Sequence, residues 1–263
     1  MSSTATHRGQ GWWESVKTVF WAILLAVLFR TLFFQPFWIP SGSMKETLLI
    51  GDFLFVNKFA YGWSRWSCPL GLCPISGRLW AAMPERGDIV VFRHPVSGAE
   101  YVKRLIGLPG DHIRLRRGVV FLNGTPVERQ PDGAFAEPFA PQGAAAAMPR
   151  CENRPARAGD DCLKSRAIEI LPGGVRYPVL NITDTGGGDD TDEFVVPAGH
   201  FFFMGDNRDN SLDSRFAQDR GGVGFVPFEN LIGRADRVLF SSAGTSMLAF
   251  WTWRPDRFFL ALH

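Results

Sequence analysis

The chain has 263 residues, of which 46% are hydrophobic and 21% are charged, and its formal net charge is +2. This length allows one large domain or two modest ones, and a net charge so close to zero gives no electrostatic case for a nucleic-acid partner. The four cysteines do not have zinc-ribbon spacing. We therefore predict no nucleic-acid partner, no metal site and no cofactor.

The long apolar run of the chain covers residues 18–34 and contains one charge, Arg30. Because this is just long enough for a helix that crosses a bilayer, we predict a transmembrane signal-anchor over residues 17–36, behind a polar tail of residues 1–16. A cleaved signal peptide is the alternative. It is disfavoured because Gln35-Pro36-Phe37-Trp38 is bulky where a cleavage site needs small residues.

Charges beside the apolar run predict its orientation. Arg8 and Lys17 precede the run and favour a cytoplasmic N terminus, although Arg30 and Lys45 on the far flank weaken this preference. The tail would then be cytoplasmic, and the bulk of the chain would lie on the extracytoplasmic side.

The segment after the apolar run presents two serines on a constrained backbone. Pro36 and Pro40 favour extended backbone in the residues before them, and Gly42 permits a sharp turn between Ser41 and Ser43. A serine held in this way can act as a nucleophile if a base is nearby. A Pro/Ser/Gly linker leaving a membrane anchor is the alternative interpretation.

Beyond the serines the pattern becomes that of a β-sheet. Short apolar runs bounded by turn residues predict strands at residues 52–58, 87–92, 101–106 and 201–204. Period-two alternation places Lys103 on the same strand face as Tyr101 and Leu105. We therefore expect this lysine to be partly buried.

Residues 125–193 differ in composition from the segments on either side. They contain Ala/Pro/Gly/Arg tracts and an acidic glycine-rich run, which indicate an inserted, loop-rich, non-catalytic subdomain. The catalytic β domain would then comprise residues 37–124 and 194–241. Residues 242–263 form a C-terminal tail that is too short and polar to span a membrane.

The cysteines fall into two local pairs. If the domain lies outside the cytoplasm, the disulfides Cys68–Cys73 and Cys151–Cys162 are favoured among the three possible connectivities. Free structural thiols are the alternative.

A dense polar loop follows the last of these predicted strands. The spacing of Asp209, Ser211 and Asp213 resembles the start of a calcium loop. An EF-hand is rejected because Ser214 stands where that loop needs glycine and Arg220 where it needs glutamate. A network of Asp and Arg around Ser211 that orients a catalytic group fits better, and a solvated, self-paired loop is the alternative.

Four blocks of the sequence match the motifs of one family, both in their residues and in their order along the chain. They are IPSGSM at 39–44 with GD at 51–52, RGDIVVF at 86–92, YVKR at 101–104 with GLPGD at 107–111, and GDNRDNS at 205–211 with DSR at 213–215. From the anchor to about residue 241, the chain resembles bacterial type I signal (leader) peptidases. The resemblance implies a mainly β fold, with an antiparallel β-sheet catalytic domain of signal-peptidase type, an N-terminal transmembrane helix and an inserted loop-rich β subdomain.

The resemblance also implies roles for individual residues. Ser43 matches the nucleophile and Lys103 the general base of the family's Ser/Lys dyad. Ser41 matches the hydroxyl that stabilises the oxyanion with the Ser43 N–H, and Ser211 matches the serine that orients the lysine amine. The supporting residues match two pairs, Asp213 with Arg215 and Asp206 with Arg104.

A lysine can act as the base only when it is neutral. Its usual pKa of about 10.4 must fall toward roughly 7–8, and burial on an apolar strand face has that effect. Lys45 is the rival to Lys103, but a lysine beside Glu46 in a polar stretch is expected to keep its charge. Glu46 also departs from the family pattern, which has proline at this position.

The implied reaction is the removal of signal peptides from exported precursor proteins after small residues at positions −1 and −3. The apolar wall expected around those two residues is formed by Phe37, Ile39, Val91, Tyr101 and Val102; plain core packing is the alternative for each. Implied partners are signal-peptide-bearing precursors and membrane lipid. The implied location is the bacterial inner (cytoplasmic) membrane, single-pass, with the catalytic domain on the periplasmic side.

Two other functions remain open from the residues. One is a different Ser/Lys peptidase of similar fold, such as a self-cleaving repressor or a conjugation-pilus maturation peptidase. The anchor and the lack of a DNA-binding segment disfavour the repressor. The other is a non-catalytic, anchored β module that acts as a scaffold.

Overall fold

The structure, a computed structural model, describes residues 8–32, 34–68 and 71–262. It begins with one α-helix, α1 (Arg8–Leu32), whose segment Gly11–Leu28 has a mean hydropathy of 1.3 and is not buried against the rest of the protein. By length and composition this helix can cross a membrane. An apolar helix that packs against no protein partner is typical of a membrane anchor.

The bounds of this helix differ from the predicted anchor of residues 17–36. Within the described residues the helix extends back to Arg8, because no proline interrupts residues 8–17 and a formed helix elongates without a new nucleation cost. It ends at Leu32, and strand β1 (Phe34–Trp38) follows. The reason is Pro36, which cannot donate a helical hydrogen bond and favours extended backbone before it.

The rest of the described chain is built of strands joined by turns and short 3-10 helices. The strands after β1 are β2 (Asp52–Asn57), β3 (Trp63–Ser64), β4 (Arg78–Leu79), β5 (Ile89–Arg93), β6 (Glu100–Gly107), β7 (His112–Arg116), β8 (Val119–Leu122), β9 (Thr125–Pro126), β10 (Glu128–Pro138), β11 (Asp161–Ile170), β12 (Arg176–Asn181), β13 (Phe194–Val195), β14 (His200–Met204), β15 (Val226–Pro227) and β16 (Leu231–Ser241).

Seven strands form the sheet that carries both predicted catalytic residues. Their order is β1-β2-β16-β5-β6-β14-β15, and neighbouring strands are antiparallel. Ser43 follows β1, and Lys103 lies within β6. The sheet curves enough for Gln35 Nε2 to donate to Glu100 Oε1 at 3.3 Å, which brings β1 close to β6. This architecture confirms the predicted mainly β, antiparallel fold.

The insert of residues 125–193 contains more strand than predicted. Strands β10, β11 and β12 form an antiparallel sheet, and β11 alternates exposed and buried side chains. The strand signal in β10 is weak in the sequence, because Pro131 and Gly133 lie within it and the β10–β11 register shifts between Pro131 and Ala134.

One hydrophobic cluster joins the insert to the large sheet. It contains Ile106, Phe202 and Met204 from β6 and β14 together with Tyr177 and Val179 from β12. Because these side chains share one core, the insert and the catalytic segments pack as one body. The insert is therefore an integral part of the site's support.

Two disulfides close local loops. The structure joins Cys68 to Cys73 and Cys151 to Cys162, which is the pairing that the sequence favours. The first lies in the connection between β3 and β4, and the second lies inside the insert.

The C-terminal tail packs back onto the large sheet. Arg257 donates to Asp52 Oδ1 at 2.9 Å from Nε and to Oδ2 at 2.6 Å from Nη2. Arg254 Nη1 also donates to the carbonyl of Ile50 at 3.1 Å. These contacts fix the tail beside the start of β2, just after the serine segment.

Candidate active site

Ser43 and Lys103 are in direct contact. Lys103 Nζ donates a hydrogen bond to Ser43 Oγ over 2.5 Å, although the residues are 60 positions apart in the sequence. Both are buried, with 8% of Ser43 and 3% of Lys103 exposed. A nucleophile and a base within hydrogen-bond distance meet the geometric requirement for nucleophilic catalysis.

A tight turn presents Ser43 after β1. Lys45 N donates to the carbonyl of Gly42 at 3.3 Å, and Leu48 N donates to that of Met44 at 2.8 Å. The Met44 and Leu48 side chains are fully buried in the core. They hold the turn against the sheet and leave the Ser43 hydroxyl pointing to Lys103.

Asn207 binds the backbone carbonyls of two consecutive residues of this turn, Gly42 and Ser43. Its Nδ2 donates to the carbonyl of Gly42 at 2.8 Å, and its N–H donates to that of Ser43 at 3.1 Å. Gly205 lies so close that a Cβ there would stand 2.5 Å from the Ser43 carbonyl oxygen. Both residues lie inside the fourth family block, but neither was predicted as a site residue, because their role depends on a tertiary contact.

Burial lowers the pKa of Lys103 to about 8. The carboxylates of Asp213 and Asp206 raise it and Arg215 lowers it, but the loss of water around the ammonium has the largest effect. An amine with this pKa has a substantial neutral fraction near neutral pH, as a general base requires. The cause is the one predicted from the strand pattern.

The supporting charges form buried pairs. Arg215 Nε and Nη2 donate to Asp213 Oδ1 and Oδ2 at 2.9 and 3.0 Å. Arg104 Nε and Nη2 donate to Asp206 Oδ1 and Oδ2 at 2.9 and 2.8 Å. Burial alone would raise the pKa of Asp213, but Arg215 lowers it, so this carboxylate stays charged.

A third buried pair comes partly from the insert. Arg208 Nη1 donates to Glu169 Oε1 at 2.6 Å, and Arg208 Nη2 binds the other carboxylate oxygen. Glu169 also accepts a 2.8 Å hydrogen bond from Tyr177, whose ring lies 4.2 Å from the Arg104 guanidinium. The sequence carried no signal for Glu169, because nothing in the insert's composition indicates which side chains reach the site.

Ser41 and Ser211 line one cavity of about 670 Å³ together with the dyad. Ser41 is exposed, and Ser211 is 5% exposed. Within the described residues the Ser211 hydroxyl makes no well-formed hydrogen bond, and none to Lys103, but it lies near enough to the Asp213 carboxylate to help lower its pKa. Its predicted orienting role stays a prediction.

The five predicted substrate-wall residues occupy two environments. Phe37, Ile39, Val91 and Val102 pack in one buried hydrophobic cluster. Tyr101 lines the cavity beside Ser43 and Lys103. The structure therefore places one of the five at the cavity surface and the others in the packing that supports β1, β5 and β6.

Lys45, the rival to Lys103 as the base, is held in a buried ion pair. The residue is 4% exposed, and its Nζ donates to Glu137 Oε2 and to Gln142 Oε1, both at 2.5 Å. Burial lowers its pKa, which the Glu137 carboxylate counteracts. The sequence could not show that the insert covers this stretch. An ammonium bound in this way is not available to take the Ser43 proton.

In the described part of the chain, no three His, Cys, Asp or Glu side chains form a group that could hold a metal ion.

Comparisons with known proteins find one family. A family model described as signal peptidase, peptidase S26, matches residues 12–240. The chain is 38% identical over 250 residues to signal peptidase I of Rickettsia akari, covering 92% of this chain and 83% of that protein. It is 39% identical over 230 residues to signal peptidase I of Rickettsia typhi, covering 84% and 77%.

A solved structure is also similar. It is a crystal structure of a signal peptidase I from Enterococcus faecalis, with 25% sequence identity and a TM-score of 0.30. The match covers 58% of this chain and 97% of that one.

We predict that Lys103 titrates near pH 8 and that Asp213→Asn lowers its pKa further. Among the charges around Lys103, Asp213 favours the ammonium most, and its loss also leaves Arg215 unpaired. The measurement is an NMR titration of ¹³Cε-labelled lysines in detergent, with the signal assigned by its loss in Lys103→Arg. Asp190→Asn, at an exposed side chain, is the control. A Lys103 signal titrating near 10.4 would refute the prediction.

Proposed function

The chain belongs to the signal peptidase family, peptidase S26, and we propose that Ser43 is the nucleophile and Lys103 the general base of its Ser/Lys dyad. The protein is a serine peptidase that cleaves signal peptides from precursor proteins. The observation that supports these two assignments is the 2.5 Å hydrogen bond between a buried amine and a buried hydroxyl.

In the proposed reaction, neutral Lys103 takes the proton of Ser43 as Oγ attacks the scissile carbonyl carbon. The resulting ammonium gives that proton to the leaving amine when the tetrahedral intermediate collapses, which leaves an acyl-enzyme on Ser43. Lys103 then removes a proton from a water molecule, which attacks the ester and releases the cleaved signal peptide. The amine is neutral again after the released Ser43 oxygen takes the proton back.

We assign the oxyanion site to the Ser41 hydroxyl and the Ser43 N–H. Ser41 lines the same cavity as the dyad. The Ser43 N–H has no acceptor among the described residues, so it can donate to a developing oxyanion. The supporting pairs around Asp213 and Asp206 would then hold residues 205–215 in place beside Lys103 without leaving a buried charge unpaired.

The substrate is proposed to bind as an added strand between β1 and β6. On β6, pairing with β14 begins at Arg104, so residues 101–103 are not paired with β14 in the described structure. Strand β1 is itself an edge strand of the sheet. An extended peptide can pair with such edges. Tyr101 at the cavity, with Phe37, Ile39, Val91 and Val102 in the packing behind it, would leave room for small side chains at −1 and −3.

Ser43→Ala and Lys103→Ala are each expected to lower kcat/KM for a defined precursor by at least about 10³-fold, since each removes one half of a unit that acts together. Lys103→Arg should be equally inactive, because an arginine does not deprotonate. The measurement is cleavage of a purified precursor by the full chain in detergent.

The matched control is Ser97→Ala, at an exposed serine away from the cavity, which should keep full activity. Full activity in Ser43→Ala or Lys103→Ala would end the assignment. Cleavage restricted to one dedicated substrate, with ordinary precursors untouched, would instead favour a specialised Ser/Lys peptidase.

The apolar helix α1 is consistent with the membrane anchor of a signal peptidase I. We propose that it spans the bacterial inner membrane once, with the catalytic domain on the periplasmic side. Arg8 and Lys17, at the N-terminal end of the helix, favour a cytoplasmic N terminus. The two disulfides support the same orientation, because disulfides persist in oxidising compartments.

Trypsin added to spheroplasts is expected to digest the catalytic domain while a cytoplasmic marker protein stays intact. Thiol alkylation of the protein from intact cells should label no cysteine before reduction and four after it. A domain that resists trypsin until the spheroplasts are lysed, or four free thiols, would reverse the orientation.

We propose that the β3–β4 hairpin region touches lipid. The register pairs Phe34 with Asn57, so the chain leaves β2 at the end of the sheet where α1, which ends at Leu32, joins it. In the described part of this segment the exposed large apolar side chains are Phe59, Leu72, Leu79, Trp80 and Met83. Tryptophan side chains favour the interface between lipid and water.

In proteoliposomes, the difference between the tryptophan emission of the wild type and that of Trp80→Ala gives the emission of Trp80. This emission is expected to be blue-shifted and strongly quenched by brominated phosphatidylcholine. Trp251→Ala is the matched control, because Trp251 is 76% exposed against 81% for Trp80 but lies near Ser242, beyond the opposite end of β2. Equal and weak quenching of both components would rule out lipid contact at the hairpin.

A further inference from the structure

Lys45 connects the nucleophile turn to the insert. Its stem passes so close to Gly42 that Lys45 Cε would lie 3.1 Å from a Cβ at that position. Beyond the stem, its ammonium reaches Glu137 and Gln142 in the insert at 2.5 Å each. The position of this ammonium therefore constrains the backbone immediately before Ser43.

Glu137, on β10, is the centre of this contact. Its Oε2 binds Lys45 and accepts from Gln142 Nε2 at 2.7 Å, and its Oε1 binds Lys164 of β11. All three charged residues are buried, with exposures of 4%, 8% and 1% for Lys45, Glu137 and Lys164. Burial raises the pKa of Glu137, but its two lysines and Gln142 lower it below the usual value, so the carboxylate is charged.

Glu46 provides a second ionic contact from the same turn. Arg166 Nε, on β11, donates to Glu46 Oε2 at 2.6 Å, and Arg166 also pairs with Asp132. This is the position at which the family pattern has proline. A proline restricts its backbone covalently, whereas here two consecutive charged side chains are bound by the insert.

We propose that Glu137 is a positioning residue for the proposed nucleophile: through Lys45 it holds the Ser43 turn against Lys103, in place of the stiffness that a proline at position 46 would give. The inference rests on the proposed function of Ser43 and Lys103. It gives the insert a part in the reaction that does not involve touching the substrate.

Glu137 acts by fixing the distance between Ser43 and Lys103 and not by changing the electrostatic field at Lys103. The charged groups with the largest effects on the pKa of Lys103 are Asp213, Asp206 and Arg215, and the Lys45 ammonium is bound to Glu137 instead. Loss of the Lys45–Glu137 contact should therefore slow proton transfer without moving the pH at which Lys103 becomes neutral.

The test compares Lys45→Met with the wild-type full chain in detergent. Methionine keeps most of the stem beside Gly42, and Glu137 keeps Lys164 as a partner, so no buried charge is left alone. We expect kcat for precursor cleavage to fall about 10- to 100-fold, as a displacement near 1 Å produces. KM should change by less than about threefold, and kcat/KM should still rise with pH around about 8, as for the wild type.

Glu137→Gln should act in the same direction, and the double variant Lys45→Met/Glu137→Gln should be no slower than Lys45→Met, because both changes remove one contact. If Glu137→Gln does not fold, Lys45→Met alone decides the question. Lys164→Met is the comparison variant: it removes the other partner of Glu137 without touching the Ser43 turn, so we expect a lower melting temperature and a much smaller fall in kcat than in Lys45→Met.

Wild-type kcat in Lys45→Met would overturn the proposal. So would an equal loss in Lys164→Met at temperatures where both variants are folded, since that would indicate general destabilisation. A shifted pH profile would indicate an electrostatic effect on Lys103 instead. Ser43→Ala separates the two proposals: if it is inactive while Lys45→Met is fully active, the dyad stands and the positioning role of Glu137 falls.

Discussion

The hydrogen bond between the Lys103 amine and the Ser43 hydroxyl depends on a lysine kept out of water. A pKa of about 8 in place of 10.5 means that the site as a whole disfavours the ammonium by about 3 kcal/mol, with burial as the largest cause. That cost is supplied by the sheet, in which β5 pairs with β6 at Lys103 and the neighbouring side chains are apolar.

Every strong charge that approaches this lysine is paired. Asp213 binds Arg215, Asp206 binds Arg104, and Arg208 binds Glu169 from the insert. A single unpaired carboxylate beside Lys103 would stabilise the ammonium and remove the base at neutral pH. Pairing each acid with an arginine keeps the local field small while the hydrogen bonds fix the geometry of the loop.

If α1 spans the membrane as proposed, the path of the chain keeps the proposed reaction close to that membrane. In chain order α1 is followed by β1, and β1 is followed by the turn that carries Ser43. Even a fully extended chain between Phe34 and Ser43 spans only about 30 Å. A substrate whose signal peptide is itself held at the membrane would therefore present its cleavage site within reach of the enzyme.

The sequence by itself determined the elements with local signals: the apolar helix, the strands of alternating or apolar pattern, the family blocks, and Ser43 and Lys103 within them. It placed the end of the helix too late, although Pro36 was visible, because hydropathy does not stop where helical hydrogen bonding does. The strand pattern indicated a partly buried Lys103 and the family blocks paired it with Ser43, but nothing in the sequence showed that Lys45 is buried against Glu137. Asn207, Glu137 and Glu169 were missed because a carboxylate or amide acquires a role only from what folds against it. The tertiary structure decided these contacts, because they join residues distant in sequence through burial and charge pairing, which leave no local pattern.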